Sequence, residues 1–462
     1  MPTTSASSVI LALGTATIAA AQSPTWRADL VGSPPATWTS ATAAVAVNDA
    51  GLVLGFTTVA SVRRPWVGSP TTGLQLLPLP ANTTYADALA VNEAGVVAGQ
   101  VLVSGSVSRG VIWQPTANGY QLFMLPSGSN GQFPFDARGI NDRGDVVGKY
   151  GPLAASYVWN ATSGVTQIAG FPDIPDAVNN QRQILGGTLR MDLDTSVLED
   201  LGNPTGTGFN YLFTELWKIN DAGECGGYGN VATGQTRNKQ AVRFTDGPTW
   251  IAFNAQPATS ANVTGLAATG DTAYQVALLG MFVYVDGHGS LTLQSMLAPA
   301  YAHWNLSGSF APVISRGGRV ACNGVDSRSG QAGIVLLTPL PFVDLGGGTL
   351  GALGRPVLNG YGRLRGGEQV RLRLASAALA SPAFLALSTR ANPLPIFGGT
   401  FHPDAASAVV VPLPTDRLGR VDLTLSWPSA PSGTTVFVQA GALDAAANQG
   451  VCLSNAIVGA AE

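Results

Sequence analysis

The chain has 462 residues, of which 11% are charged, and its net charge is −3. This balance excludes the basic footprint of a nucleic-acid-binding protein and provides no attraction to acidic membranes. Hydrophobic residues make up 45% of the chain, too many for a mostly disordered protein. Together with 57 glycines and 30 prolines, the composition predicts a folded, turn-rich, all-β protein.

Residues 1–21 have the pattern of a secretory signal peptide. An apolar stretch from Val9 to Ile18 precedes three small residues, although no Lys or Arg stands before it. The alternative is a disordered or helical N-terminus. Elsewhere no run of about 18 apolar residues is free of Pro, Gly and charge. We therefore expect a secreted protein, extracellular or at the cell surface, without membrane insertion.

The three cysteines are widely spaced, at Cys225, Cys322 and Cys452. This number and spacing fit neither a disulfide framework nor a zinc site. We expect all three to be small buried side chains.

A short motif recurs through residues 26–341: an Asn, a Gly three residues later, and then alternating apolar residues. The Asn position falls at 48, 92, 141, 179, 220, 267 and 315, about every 44 residues. Repeats of roughly 40–45 residues with four strands each are typical of β-propellers. The period therefore predicts a seven-bladed β-propeller over residues 26–341.

The motif itself predicts a strand–turn–strand hairpin. Asn suits the first position of a type I turn, and a left-handed Gly completes a hairpin loop with a bulge. The clearest turn pairs are Asn48 and Gly51, Asn92 and Gly95, Asn141 and Gly144, and Asn220 and Gly223. The acidic residues that follow the Asn are expected to be solvated at the turn tip, namely Asp49, Glu93, Asp142 and Asp221.

The segment 26–31 resembles the fourth, Leu-bearing strand of a repeat, yet it stands before the first hairpin. We predict that this segment completes the last blade, since pairing there removes the exposed edges of an open ring.

The repeats also carry a family resemblance. The hairpin motif is followed by a strand that ends in Trp, at Trp66, Trp113 and Trp159, and then by a Leu-bearing strand. This order resembles the HAF repeat of secreted bacterial proteins, and residues 334–339 resemble the terminal unit of that family. The resemblance implies an extracellular, propeller-like repeat protein without established enzymatic activity. It supplies no catalytic residue and no cofactor.

Residues 342–462 lack the repeat. Short alternating runs such as Val370–Leu374 and Val421–Leu425 predict an antiparallel β-sandwich. The segments 354–356 and 453–456 resemble turn and strand-end positions of the β-sandwich that ends many secreted bacterial proteins. That resemblance implies an accessory or surface-attachment module.

Motifs that would carry chemistry are absent from the sequence. There is no nucleophile elbow, phosphate loop or zinc motif, and only three histidines occur. We assign no catalytic residue, metal or cofactor. Acidic residues precede the motif in four repeats, at Asp87, Asp136, Asp173, Asp176 and Glu215, and they are expected to be exposed loop acids.

The candidate ligand-binding residues are aromatic or imidazole side chains in the loops that enter the repeats: Trp38, Phe133, Phe135, His303 and Trp304. Such side chains on a concave face suit sugar rings or an apolar peptide, and the alternative is packing between blades.

These features predict a secreted, non-enzymatic binding or scaffold protein, whose partner is an extracellular protein or glycan. The alternative is a polysaccharide-active enzyme that uses a cleft on a propeller face. Carboxylates converging in one cleft would favour the enzyme. The sequence leaves the ligand and the oligomeric state open.

Overall fold

The structure is a computed structural model that describes residues 24–462 except 39–41, 106, 130, 152–154, 206, 208–210, 234–235, 246–248, 254–259 and 307–309. The expected signal peptide lies outside the described residues. Within them the protein is all-β, as the sequence predicts, and its only helical elements are 3₁₀ turns at Leu293–Met296, Pro299–Tyr301 and Asn448–Gly450.

Each of the first six sequence repeats builds an antiparallel unit of four strands that pair in chain order. The first three units contain β2 (Ala43–Val47), β3 (Val53–Val59), β4 (Val62–Ser69) and β5 (Gly73–Leu76); β6 (Thr83–Val91), β7 (Val97–Val103), β8 (Arg109–Thr116) and β9 (Gly119–Met124); and β10 (Gly139–Ile140), β11 (Val146–Tyr150), β12 (Ala155–Asn160) and β13 (Gly164–Gln167). A single parallel bridge between Arg63 and Tyr85 joins the first two units.

The next units contain β14 (Ala177–Val178), β15 (Gln183–Gly186), β16 (Leu189–Asp192) and β17 (Leu198–Asp200); β18 (Tyr211–Ile219), β19 (Cys225–Thr233), β20 (Thr236–Thr245) and β21 (Thr249–Ala252); and β22 (Ala261–Leu266), β23 (Thr272–Val276), β24 (Gly280–Val285) and β25 (Gly289–Thr292). The three cysteines are free and buried, as expected.

The last repeat closes with the N-terminal strand. Its strands are β26 (Trp304–Asn305), β27 (Val313–Ile314), β28 (Val320–Asp326) and β29 (Ala332–Pro339), and β1 (Trp26–Gly32) supplies the outer strand. β1 pairs antiparallel with β29, in a register that runs from Trp26 opposite Pro339 to Leu30 opposite Val335. The predicted pairing of residues 26–31 with the last repeat is confirmed.

The motif turns have the predicted geometry. The Gly95 amide donates to the Asn92 carbonyl at 3.0 Å, and φ is +78° at Gly95 and +80° at Gly51 and Gly144. The Asn side chain adds two bonds that the motif alone does not predict. In the second repeat the Asn92 amide oxygen accepts from the Val96 amide at 2.9 Å.

The second bond joins neighbouring units into a ring. The Nδ2 of each motif Asn donates to the backbone carbonyl at the same position of the next unit, at 2.9–3.1 Å. The bonds run from Asn48 to Asn92, Asn141, Asn179 and Asn220, and the last of them ends at the Ala267 carbonyl. The Ala268 amide then donates to the Arg316 carbonyl, and the Gly317 amide donates to the Asp49 carboxylate. Four-stranded units arranged in this closed circle form a β-propeller.

The glycine that ends the motif has a steric reason. A methyl group at Gly99 would lie 2.0 Å from the Asp87 carbonyl oxygen of the innermost strand. The equivalent glycines Gly55 and Gly227 meet the same carbonyl position at 2.1 and 2.0 Å. Only glycine fits where the second strand crosses so close to the first.

The C-terminal part contains two antiparallel sheets that share one core. One sheet has the order β30 (Val343–Gly346), β39 (Val451–Ala460), β38 (Thr435–Leu443), β33 (Pro382–Ser388) and β36 (Val409–Pro414); the other contains β31 (Val357–Tyr361), β32 (Gln369–Ala375) and β37 (Val421–Ser426), and a separate hairpin is made by β34 (Ala391–Ile396) and β35 (Gly399–Pro403). Leu372 from one sheet and Val438 from the other are buried in that core.

Candidate functional site

The innermost strand of each unit lines a central channel, and equivalent positions form layers along it. One step before the motif Asn, every repeat places an apolar side chain around a cavity of about 160 Å³: Val47, Val91, Ile140, Val178, Ile219, Leu266 and Ile314. One step after the Asn, charged and amide side chains follow. The channel therefore has an apolar waist with a polar layer at the turn end.

The polar layer is a second ring of hydrogen bonds. The Glu93 amide donates to the Asp142 carboxylate at 2.9 Å, and the Asp142 amide donates to the Asn180 side chain at 2.8 Å. Asp221 is 4% exposed. The expectation that these acids are solvated at the turn tips is wrong, because each accepts a hydrogen bond from the backbone of the preceding repeat instead.

Arg316 crosses this ring from the last repeat. Its guanidinium pairs with Asp142 at 3.2 Å and with Asp221. Burial alone would lower the pKa of Arg316, but the two carboxylates raise it above its usual range. Burial also raises the pKa of Glu93 well above its usual value, and the Asp49 carboxylate raises it further. The Arg316 guanidinium thus lies across the turn end of the channel and pairs with two of its acids.

The C-terminal part covers the same end. Arg373 pairs with Asp271 at 2.6 Å, and both side chains are at most 5% exposed. Arg420 pairs with Glu224, whose side chain is 2% exposed. The exposed Arg143 adds a bond to the Ala352 carbonyl at 3.1 Å. These contacts all lie at the turn end of the channel, and we call the opposite end the channel mouth.

Two cavities of about 510 and 450 Å³ lie at the channel mouth and share Glu215 and Trp217. The larger cavity, which we call the acidic cavity, is lined by side chains that include Arg138, Asp173, Asp176 and Phe213. The smaller, which we call the basic cavity, is lined by side chains that include Lys218, Tyr228, Lys239, Asn262 and Thr264. The mouth thus combines aromatic surface with charges of both signs.

Strand β18 directs its alternate residues Phe213, Glu215 and Trp217 into the mouth. A β-bulge at Trp217 shifts the register between Leu216 and Lys218, and such bulges re-aim side chains. The Trp217 ring lies 5.1 Å from that of Tyr228, and Phe213, 44% exposed, lies 6.4 Å from it. These three rings form one aromatic surface beside the Glu215 carboxylate.

The carboxylates at the mouth are tied to neighbours. Tyr228 donates its hydroxyl hydrogen bond to Glu215, and burial and this bond raise the pKa of Tyr228 to about 12. Arg138 bridges Asp136 at 2.9 Å and Asp176 at 2.6 Å. Burial raises the pKa of Asp176, although Arg138 opposes that shift.

The expectation of exposed loop acids is wrong for two of the five positions. Asp87 and Asp136 are 5% and 4% exposed. Asp87 accepts from Tyr85 of its own unit and from Arg63 of the preceding unit, so it is fixed between the two. The other acids, Asp173, Asp176 and Glu215, line the acidic cavity.

The five ligand residues predicted from the sequence do not line either cavity. Trp304 is 6% exposed and lies in a core cluster, so its expected ligand role gives way to packing. The His303 ring stands 5.8 Å from that of Trp304, and Trp38 packs against another core cluster. The structure does not gather these three side chains into one site.

Phe133 and Phe135 lie beneath cations. The Arg109 guanidinium is 3.6 Å from the Phe133 ring, and the Lys149 ammonium is 5.0 Å from the Phe135 ring. Phe133 is 42% exposed, so a ligand role for it stays a prediction.

Sequence reasoning missed Phe213, Trp217 and Tyr228 because only the bulge and the next strand bring them together.

Among the described residues, no three His, Cys, Asp or Glu side chains are grouped to hold a metal ion. In the same part of the chain, no helix has the length and apolarity that a membrane span requires.

No protein family and no curated protein sequence matches the chain. A streptogramin B lyase structure is 11% identical, with a TM-score of 0.40, over 68% of this chain and 98% of that one. An oligogalacturonate lyase from Vibrio parahaemolyticus is 10% identical, with a TM-score of 0.40, over 70% and 99%. The Cps50 (Swd1) β-propeller domain from Myceliophteria thermophila is 10% identical, with a TM-score of 0.29, over 68% and 100%. These values carry no information on activity or substrate.

Proposed function

We propose that the protein is a secreted binding protein that holds an extracellular glycan at the channel mouth. The observation that carries the proposal is the stripe of Phe213, Glu215 and Trp217, which one strand directs into two adjoining cavities. The apolar stretch and small residues of 1–21 support secretion.

The scaffold in this proposal is a seven-bladed propeller of HAF-type repeats followed by a C-terminal β-sandwich. The recurrence of the motif position seven times and the ring of hydrogen bonds between successive units support the blade number. The core shared by Leu372 and Val438 supports a sandwich. The sandwich covers the turn end, so it acts as an accessory module that leaves the mouth open.

The chemistry of the mouth suits a sugar. Sugar rings present C–H groups that stack on aromatic faces, and their hydroxyls need charged or amide partners. Phe213 and Trp217 provide the faces, while Glu215 and Asn262 provide hydrogen-bonding groups in the same cavities. An apolar peptide would leave these polar groups without partners, which costs binding free energy.

The proposal is tested by glycan-array binding and isothermal titration with the full protein. Phe213→Ala and Glu215→Gln should each weaken glycan binding by roughly tenfold or more, because the loss of a stacking ring or a charged hydrogen bond removes about 1.5–3 kcal/mol. Phe133→Ala is the matched control: it is equally exposed but lies outside the cavities, so it should leave binding unchanged. Loss of binding in Phe133→Ala alone would place the site on the loops predicted from sequence and refute this proposal.

A second candidate is a polysaccharide-active enzyme, favoured by one observation. Asp173, Asp176 and Glu215 line one cavity, and burial raises the pKa of Asp176, as a proton donor requires. Two contacts argue against an enzyme: Asp176 already pairs with Arg138, and Glu215 already accepts a hydrogen bond from Tyr228. Release of reducing or unsaturated ends from a bound polysaccharide, abolished in Asp176→Asn, would establish catalysis. Binding without product would support the first proposal.

A further inference from the structure

One position of the repeat is occupied by small residues almost everywhere. Two steps before the motif Asn the residues are Ala46, Ala90, Gly139, Ala177, Gly265 and Val313 in six repeats, whereas the fifth repeat has Lys218. The small size has a packing reason, because this position faces the next unit. A methyl group at Gly139 would lie 3.0 Å from the Ala177 Cα. A lysine here departs from what the architecture needs.

Lys218 has no dedicated counter-ion among the described residues. Within the part of the chain that the structure describes, its ammonium makes no hydrogen bond or ion pair. The one charge that acts on it is the Asp176 carboxylate, which Arg138 already holds at 2.6 Å. Burial lowers the pKa of Lys218. Lys218 is half-buried and lines the basic cavity, and a partly desolvated cation without a partner costs stability, so nothing in the fold explains its presence.

The basic cavity has a second unsatisfied group. The Oδ1 of Asn262 is buried and has no hydrogen-bond partner among the residues that the structure describes. The same cavity holds Lys239, whose ammonium lies 3.8 Å from the Tyr228 ring centroid, and Glu215, which accepts from the Tyr228 hydroxyl. Two lysines therefore face one carboxylate that already has a partner, and the cavity carries a net positive charge.

We propose that the basic cavity binds the carboxylate of an acidic saccharide, with Lys218 as its counter-ion and Asn262 Oδ1 as the acceptor for a neighbouring hydroxyl. This inference rests on the proposed glycan-binding function and specifies its ligand class. The ligand carboxylate supplies the missing partner of the ammonium, and a ligand hydroxyl satisfies the orphaned amide oxygen. The aromatic surface of Phe213 and Trp217 then packs against the sugar that follows.

The experiment compares uronic acid oligosaccharides with their methyl esters, which keep the sugar and remove the charge. Oligomers of galacturonate and of mannuronate are titrated calorimetrically into the full protein. At least one acid form should bind roughly tenfold or more tightly than its ester, because a charge-assisted bond is lost on esterification. Lys218→Met should bind acid and ester alike. Inorganic phosphate and sulfated oligosaccharides test whether any anion suffices, and competition by phosphate as strong as by the acid would overturn the carboxylate assignment.

Lys149→Met is the matched control, since the chain has only three lysines and Lys149 lies on Phe135 outside both cavities. It should leave acid binding unchanged. Lys218→Met should melt no lower than the wild type, because it removes an unpaired and partly desolvated charge. A lower melting temperature with unchanged acid binding would show that Lys218 is structural and overturn the inference.

A measurement on the wild-type protein guards against a variant that fails to fold. Reductive methylation with ¹³C labels the three lysines, and the Lys218 signal should shift when the acid oligosaccharide binds while the Lys149 signal stays. Acid binding without a Lys218 shift would overturn the inference. Equal binding of acid and ester, lost in Phe213→Ala, would overturn it and leave the glycan-binding proposal standing, whereas failure to bind any saccharide would overturn that proposal as well.

Discussion

The ring of motif asparagines makes a quantitative prediction for Asn92. Its Oδ1 accepts from the Val96 amide at 2.9 Å, and its Nδ2 donates to the Asn141 carbonyl of the next unit at 3.1 Å. Asn92 is 6% exposed, so water does not replace these bonds. One side chain thus closes its own turn and joins two units.

The magnitude follows from the two bonds. Asn92→Ala removes both bonds. It leaves the Val96 amide without this acceptor, at about 1–3 kcal/mol, whereas the Asn141 carbonyl keeps its bond from the Gly144 amide and loses about 0.5–1.5 kcal/mol, or roughly 2–4 kcal/mol in total. Asn92→Ser should cost about half as much, because a serine keeps the acceptor role. Ser315 already shows this in the last repeat, where its Oγ accepts from the Arg319 amide at 3.1 Å.

Equilibrium denaturation in urea measures the effect, with the slope of the transition checked for constancy. Asn118→Ala serves as the control, because Asn118 is an exposed turn residue outside the ring and should change stability by less than about 0.5 kcal/mol. A loss below about 0.5 kcal/mol in Asn92→Ala, or equal losses in the Ser and Ala variants, would refute the argument that the ring stabilises the propeller.

Gly99→Ala should destabilise the protein by more than about 3 kcal/mol in urea denaturation, because the new methyl group would lie 2.0 Å from a backbone oxygen. Gly95→Ala should cost only about 1–2 kcal/mol, because the nearest atom to its methyl group is 3.6 Å away and only the strain of a positive φ remains. Arg420→Ala should remove the ion-pair partner of the buried Glu224 carboxylate, which keeps its hydrogen bond from the Asn220 side chain, and should cost roughly 3–5 kcal/mol. Calorimetry should show earlier separation of the C-terminal part, and an unchanged thermogram would contradict the packing described. The pKa of Lys218 is lowered in the folded state, so its cost is present below that pKa and disappears as pH rises towards about 10.4. Melting curves of the wild type and Lys218→Met should therefore converge at high pH, and a constant difference would argue against the unpaired charge.

Local features of the fold were predictable from the chain alone. The turn of Asn92 and Gly95 depends on four consecutive residues, so its type and the positive φ of its glycine follow from residue identity. The repeat period indicated β-propeller units, because each hairpin must bury its apolar face on a neighbour. The pairing of residues 26–31 with the last repeat followed from the same need, since an unpaired strand edge is avoided.

The site was decided by the tertiary structure. Asp221 looked like a solvated turn residue, yet Arg316, 95 positions later in the chain, reaches across the ring to pair with it. Trp304 looked like a ligand residue and is buried, while Trp217 reaches the mouth through a bulge. Sequence does specify local turns, because their bonds close within a few residues. The burial and charge environment of a channel side chain depend on residues from other repeats, and those distances exist only once the ring has closed.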